Sequence, residues 1–312
     1  MPWDDRTKRR LKLRDLDILL AVVETGSMGK AAKHLNISQP AVTKAIIELE
    51  DALGVRLLDR SRRGVVPTTY GLALAKHSVA IFNDLRQGIQ DIDFLSDPTK
   101  GEIRIGTTDP IATAIVLPAI DTLSRKYPQM FFHLISGDTT ELYRSVSERN
   151  IEFAVCRMIG RLPDELAADV LFYDALSIVT SAKNPLTRRR KLTFAELANE
   201  PWALPPFDNS FFGSLIAEAF RANGQEPPRP TVTIGSANIR NELLAKDRFL
   251  TVLPSFMLKV AWRNLALKAL PVALHNSSMP VGLITLKNRT LTPLAELFIE
   301  NVRALAKPLA RS

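Results

Sequence analysis

Between Leu16 and Gly54 three runs of helical periodicity each end on a turn residue, and helices this short gain stability only by crossing one another. Leu16, Leu19, Leu20 and Val23 mark the first, and Gly26 stops it. The second, from about Met28 to Leu35, carries Ala31, Ala32 and Leu35, after which Asn36-Ile37 turns the chain. Ser38 suits the N-cap of a third helix, with Pro40 in its first turn. That helix runs to about Leu53, with Ala41, Val42, Ala45, Ile46 and Leu49 on its inner face and Gly54 at its end. Small alanines where the second helix meets the third complete the pattern of a helix-turn-helix. From Val55 to Thr69 a β-hairpin is expected: Leu57-Leu58, a polar tip of Arg60, Ser61, Arg62, Arg63 and Gly64, then Val65-Val66-Pro67.

Charge is concentrated in the same region. Residues 1–70 hold 13 basic and 9 acidic side chains, a net of +4, which is half of the +8 carried by all 312 residues. A basic excess there suits a polyanionic partner, although a solvated basic surface has the same composition. After the hairpin, positions 74, 78, 81, 85, 88, 92 and 95 alternate by four and three and hold Leu74, Ser78, Ile81, Leu85, Gly88, Ile92 and Leu95. This is a heptad seam with weak points at Ser78 and Gly88. The run from Asp97 to Gly101 reads as a hinge.

Three runs, S-Q-P-A-V-T-K from Ser38, L-E-x-x-L-G-V-x-L-L-x-R from Leu49 and T-x-x-G from Thr68, stand in register, and with them the stretch from Leu16 resembles the winged helix-turn-helix of the LysR-type transcriptional regulators. The resemblance implies that the long helix pairs two subunits, that dimers assemble into a tetramer that bends DNA, and that the rest of the chain is an effector-binding domain similar to type 2 periplasmic binding proteins. It also implies that Ser38, Gln39, Pro40, Thr43 and Lys44 read bases. Their chemistry fits: Gln39 can pair with an adenine edge, Lys44 with guanine acceptors or a phosphate, and Thr43 or the Pro40 ring with a thymine methyl. Arg60, Arg62 and Arg63 can reach the minor groove or flanking phosphates, and Ser27 and Lys30 the backbone phosphates. The basic runs Lys8 to Arg14 and Thr187 to Lys191 read as solvated charge.

Beyond the hinge, strands and helices alternate, which implies α/β units around a largely parallel sheet. Strands are expected at 102–106, 131–135, 153–156, 176–180, 231–234, 250–253 and 281–286. The helices between them run up to Leu123, over 141–147, 194–197, 213–221 and 238–245, with a closing one over 293–306. A crossover near Tyr173 divides this part into lobe I (102–173 and 275–312) and lobe II (174–274). The full division is then a reader at 1–68, a linker helix at 69–95, a hinge at 96–101 and an effector domain at 102–312. Where the family often has a glycine pair before its I-A-x-L-P segment, this chain has Lys246-Asp247-Arg248-Phe249-Leu250.

Open α/β sheets place ligands at the carboxyl ends of strands. The polar groups there are Thr107, Thr108 and Asp109 after the first strand, Gly137 and Thr139 after the second, Arg157 after the third, and Asn209 and Ser210 in a later loop. Each can cap its own helix as readily as touch a ligand. Asp109, Asp138 and Asp208 would repel a carboxylate if they faced the cleft, while Trp202 and Phe207 can stack on a sugar or aromatic ring. A sugar-like effector therefore stands beside the usual organic acid.

Other function classes find no footing. The P-loop, G-x-G-x-x-G, H-E-x-x-H and G-x-S-x-G patterns are missing, and His34, His77, His133 and His275 are scattered, so neither an enzyme, nor a metal, nor a cofactor is expected. The single cysteine, Cys156, lies at a strand end and has no resolving thiol, so it reads as a buried small side chain. A charged start and the lack of any run approaching ~20 apolar residues fit a cytoplasmic protein with no membrane partner.

Overall fold

The computed structural model describes residues 11–61, 64–97, 100–208, 210–260 and 266–310. They form two compact units, with the main division of the chain between Ile92 and Asp93.

In the first unit, α1 (Leu13–Thr25) ends on Gly26 in the left-handed region (φ 62°). Helix α2 (Met28–His34) is capped by Ser27, whose hydroxyl accepts from the Lys30 N–H. Asn36 makes the turn at φ 53°, a conformation that asparagine tolerates. Ser38 caps α3 (Gln39–Leu53) through the Ala41 N–H, and Gly54 closes it at φ 67°. The three helices bury one cluster that includes Leu19, Val22, Ala31, Val42, Ile46 and Leu49. Strands β1 (Leu58–Ser61) and β2 (Gly64–Pro67) pair antiparallel as the expected hairpin. Its base is held by Glu50, whose carboxylate accepts from the N–H groups of Leu57 (2.8 Å) and Leu58 (3.1 Å). Further along, the Val65 N–H donates to the Gly26 carbonyl. Helix α4 (Thr69–Ser96) then leaves from the hairpin. Thr68 donates from its hydroxyl to the carbonyls of Arg56 and Leu57, and accepts from the Gly71 N–H.

The expected seam on α4 is corrected at its start. Leu74 packs on the cluster of the three helices, and Ser78 is buried with its hydroxyl bonded back to the Leu74 carbonyl. Only from Ile81 does an unpartnered apolar face open, with Ile81, Leu85, Ile89, Ile92 and Leu95 all exposed.

The larger sheet of the second unit is built from β3 (Lys100–Thr107), β4 (Gln129–Ser136), β5 (Phe153–Arg157), β6 (Leu166–Asp174) and a late strand, β12 (Met279–Leu286). Their order across it is β4-β3-β5-β12-β6. Strand β3 runs parallel to both β4 and β5, whereas β12 is antiparallel to β5 and β6. A smaller sheet contains β7 (Leu176–Ser181), β10 (Leu250–Pro254) and β11 (Leu267–Ala273) in the order β10-β7-β11, antiparallel throughout. A parallel pair, β8 (Ala203–Leu204) and β9 (Val232–Thr233), adjoins it through a bridge between Trp202 and Leu250. The expectation of a largely parallel arrangement thus fails. Strands β6 and β12 carry the chain out to the smaller sheet and back, so they must run in opposite directions.

Helices α5 (Asp109–Ile111), α6 (Leu117–Lys126), α7 (Thr139–Ser147) and α12 (Pro293–Ala306) belong to the larger-sheet lobe, with a π turn at Ala112–Val116 joining α5 to α6. Around the smaller sheet lie α8 (Phe194–Leu197), α9 (Phe211–Ala222), α10 (Ala237–Leu244) and α11 (Met257–Val260). Trp202 is fully buried there, its indole N–H donating to the Leu197 carbonyl and its ring packed edge-on to Phe220. This removes it as a stacking surface for a ligand; Phe207, partly buried, packs on the same cluster. At the departure from the family pattern, Asp247 itself adopts the left-handed conformation (φ 60°) and accepts from the Ser181 hydroxyl at 2.5 Å.

Candidate nucleic-acid interface and effector site

The N-terminal end of α3 is presented outward because its inner face, Val42, Ala45, Ile46 and Leu49, is consumed by the core. Gln39, Pro40 and Lys44 are exposed, Thr43 is half-buried beside them, and with Ile47 and Glu48 they line one open groove. Ser38 stands at the head of the helix. The Gln39 amide oxygen lies 3.5 Å from where a Cβ on Gly29 would stand, so the start of α2, with Ser27 and the exposed Lys30, adjoins the start of α3. Lys44 is 78% exposed and only loosely paired with Glu48 at 3.7 Å, which leaves its ammonium able to take a stronger anionic partner. Ile47 and Glu48 escaped notice in the sequence, where they read as ordinary outer-face residues. At the hairpin, Arg60 lies on β1, while Arg62 and Arg63 lie outside the described residues, as do Lys8 to Arg10.

The strand-end residues of the second unit divide sharply. Thr107 is buried and donates to the Val155 carbonyl (2.9 Å), and Thr139 is buried and donates to the Arg157 carbonyl (3.0 Å). Arg157 is buried against Asp174, bonding its carboxylate at 2.7 Å and its backbone carbonyl at 3.1 Å. These three are therefore corrected from ligand groups to internal ties, because each polar end is already satisfied inside the protein. Burial draws the Arg157 pKa down and the Asp174 pKa up, each opposed by the partner's charge. Asp138 caps α7 through the Glu141 N–H, and the Glu141 carboxylate returns to the Asp138 N–H beside Gly137. Ser210 accepts from the Gly213 N–H at the head of α9, and Asn209 lies outside the described residues. What stays accessible is Thr108, whose side chain makes no capping bond, and Asp109, which is exposed and accepts from the Ser136 hydroxyl.

Nothing in the residue pattern pointed to Arg240 on α10. Its Nε is buried without a hydrogen-bond partner, and the charge acting on it is that of Asp109, from the larger-sheet lobe. Burial lowers its pKa to about 10, so the guanidinium remains charged at neutral pH.

Cys156 sits within the buried strand β5, and burial pushes its thiol up to about 12. The folded protein is expected to resist iodoacetamide at pH 8 and to be alkylated only after denaturation, as followed by intact mass. Native labelling at the rate of a free thiol would contradict this burial.

An exposed recognition-helix face on a winged trihelical unit, in a chain that continues into a long helix and a two-lobed α/β unit, defines a DNA-binding regulator with a separate ligand-responsive domain. Residues 13–72 match the bacterial regulatory helix-turn-helix protein, lysR family, and residues 96–307 match the LysR substrate binding domain. The chain is 32% identical over 303 residues to the HTH-type transcriptional regulator GbpR of Azospirillum brasilense, covering 95% of this chain and 87% of that one. It is 27% identical to TdcA of Escherichia coli (strain K12), over 79% of this chain and 78% of the other. Full-length CbnR, solved in complex with its target DNA, shares the fold at a TM-score of 0.67 and 20% identity, covering 95% of this chain and 100% of that one. A full-length OxyR variant from Pseudomonas aeruginosa does so at 0.65 and 19% identity, covering 96% and 97%. The chain belongs to the LysR family of transcriptional regulators. It is a DNA-binding regulator with an effector-binding domain, and not an enzyme. Among the described residues no helix is long and apolar enough to cross a membrane.

Proposed function

We propose that the chain acts in the cytoplasm as a homodimer paired through α4, assembling to a homotetramer on an interrupted palindrome and switching when a small effector, an organic acid or sugar-like molecule, enters between the lobes. The division of labour is a reader at 1–68, a pairing helix at 69–95, a hinge at 96–101 and an effector domain at 102–312, with lobe I at 102–173 and 275–312 and lobe II at 174–274. The observation that carries this reading is the exposed start of α3, where Gln39, Pro40, Thr43 and Lys44 stand together beside Ser27 and Lys30. Gln39 and Lys44 read base edges, Ser27, Ser38 and Lys30 bond phosphates, and Arg60, Arg62 and Arg63 reach flanking phosphates or the minor groove. The apolar face from Ile81 to Leu95 supports pairing, because a helix in water does not leave such a face uncovered without cost. An effector that contacts Thr108 and Asp109 along with the facing lobe shifts the regulator only in so far as it binds two lobe arrangements unequally.

The test is binding to DNA upstream of the chain's own gene and of the adjacent divergent gene, against an unrelated duplex, at several salt concentrations. A protected site with a Kd on the order of 10⁻⁸ M or tighter is expected. Gln39→Ala with Lys44→Ala should weaken it by about 10²-fold or more, since one good base contact is worth about 1–3 kcal/mol. Equal, steeply salt-dependent binding to every duplex would reduce the interaction to phosphate attraction and overturn the reading.

A further inference from the structure

A buried guanidinium nitrogen without a partner is costly, and folded proteins rarely keep one that serves only the fold. Arg240 carries such a group: its Nε is buried with no hydrogen bond, and among the described residues no carboxylate forms an ion pair with it. Asp109, across the lobes, acts on it through space, and Thr108 next to Asp109 has a side chain that caps nothing. One wall of the effector site thus offers a fixed cation, and the other offers an acceptor carboxylate and a hydroxyl.

Resting on the regulator reading above, we propose that Arg240 is the anion anchor of the effector site and that the effector is a small monoanionic carboxylate carrying a hydroxyl: the carboxylate pairs with Arg240 while the hydroxyl donates to Asp109. A bidentate guanidinium–carboxylate pair satisfies the stranded Nε and is among the stronger hydrogen-bonded contacts a protein makes. The Asp109 charge discriminates against dianions such as phosphate monoesters, which would meet a like charge on the far wall. A neutral polyol would engage Asp109 but leave Arg240 unpaired, so the anchor separates the two ligand classes left open by the sequence. Such a ligand joins both lobes and binds their closed arrangement in preference to any other, which is what an effector needs in order to act.

The experiment is thermal unfolding of the full chain with millimolar glycolate, lactate or gluconate, with glucitol as the neutral counterpart of gluconate and glycerol phosphate as a dianion. At least one of the acids should raise the Tm in a saturable way that glucitol and glycerol phosphate do not reproduce, and Arg240→Met should abolish that rise. Without ligand, Arg240→Met should melt no lower than the wild type, because it removes a charged group whose buried nitrogen is uncompensated. A lower ligand-free Tm would make Arg240 a structural partner of Asp109 and overturn the proposal. So would an unchanged acid response in Arg240→Met, equal shifts by gluconate and glucitol, or no shift by any of the acids. DNA protection by the wild-type chain is measured in parallel: its failure counts against the regulator reading, while the thermal shifts alone judge Arg240.

Discussion

Gly71→Ala should unseat the hairpin and abolish specific DNA binding, although the glycine lies in a helix where alanine is ordinarily the better residue. A Cβ at this position would stand 2.1 Å from the Leu57 carbonyl oxygen and 3.0 Å from its carbon. Both atoms are backbone, and the chain at Leu57 is pinned by Glu50 and Thr68, so nothing can swing aside as a side chain would. Overpacking of this kind costs about 1–3 kcal/mol or more. In a unit of this size about 2 kcal/mol lowers the Tm by roughly 10 °C. Scanning calorimetry should show an early transition displaced while a later one, from the effector-binding unit, stays in place. An unmoved early transition with normal DNA binding would mean that α4 does not sit as closely on the hairpin as the geometry states.

Asp174→Ala should do comparable damage in the effector-binding unit. Its carboxylate accepts from Arg157 with one oxygen and from the Phe256 N–H (2.9 Å) with the other, just before the chain enters the smaller sheet at Leu176. The substitution leaves Arg157, 7% exposed, as a buried charge without its counter-ion, which costs about 3–5 kcal/mol. Urea unfolding should register this as a lower midpoint with an unchanged slope. The double replacement Arg157→Met, Asp174→Leu should recover much of the loss, short of the Phe256 N–H that stays unpaired. If the double variant is as unstable as the single one, the damage comes from the lost backbone bond and not from the stranded charge.

How much of this was legible depended on whether the signal was local. Gly26, Asn36, Ser38 and Gly54 act within a few residues of themselves, so the reader's helices could be drawn from sequence. The closing helix was legible for the same reason: Thr292 caps it through the Ala295 N–H and Pro293 opens it. Strand β11 was missed because Pro271 interrupts its run, and proline is tolerated there because β11 is an edge strand with an irregular register. Strand β6, another edge, lacks clean alternation, and its pairing with β12 shifts register on the way. At the candidate site the difficulty was one of direction. Thr107 and Arg157 are polar residues at strand ends, as a ligand site requires, but both turn inward and spend their polar ends on neighbouring backbone and on Asp174. Arg240 posed the reverse problem, since an arginine in Ala237–Leu244 reads as a solvent-facing helix residue and only the tertiary packing buries its Nε.

The π turn at Ala112–Val116 sits between the Thr108–Asp109 edge of the effector site and the body of α6. A wide turn holds one residue more than an α-helix needs for the same advance, so it acts as slack in an otherwise taut rod. Passing that surplus toward either end would re-aim one end by about 100° and move it by about 1.5 Å, the increments of a single helical residue. The Asp109 wall thus has a small, quantised adjustment built in behind it, in a molecule whose other walls are set by continuous strands.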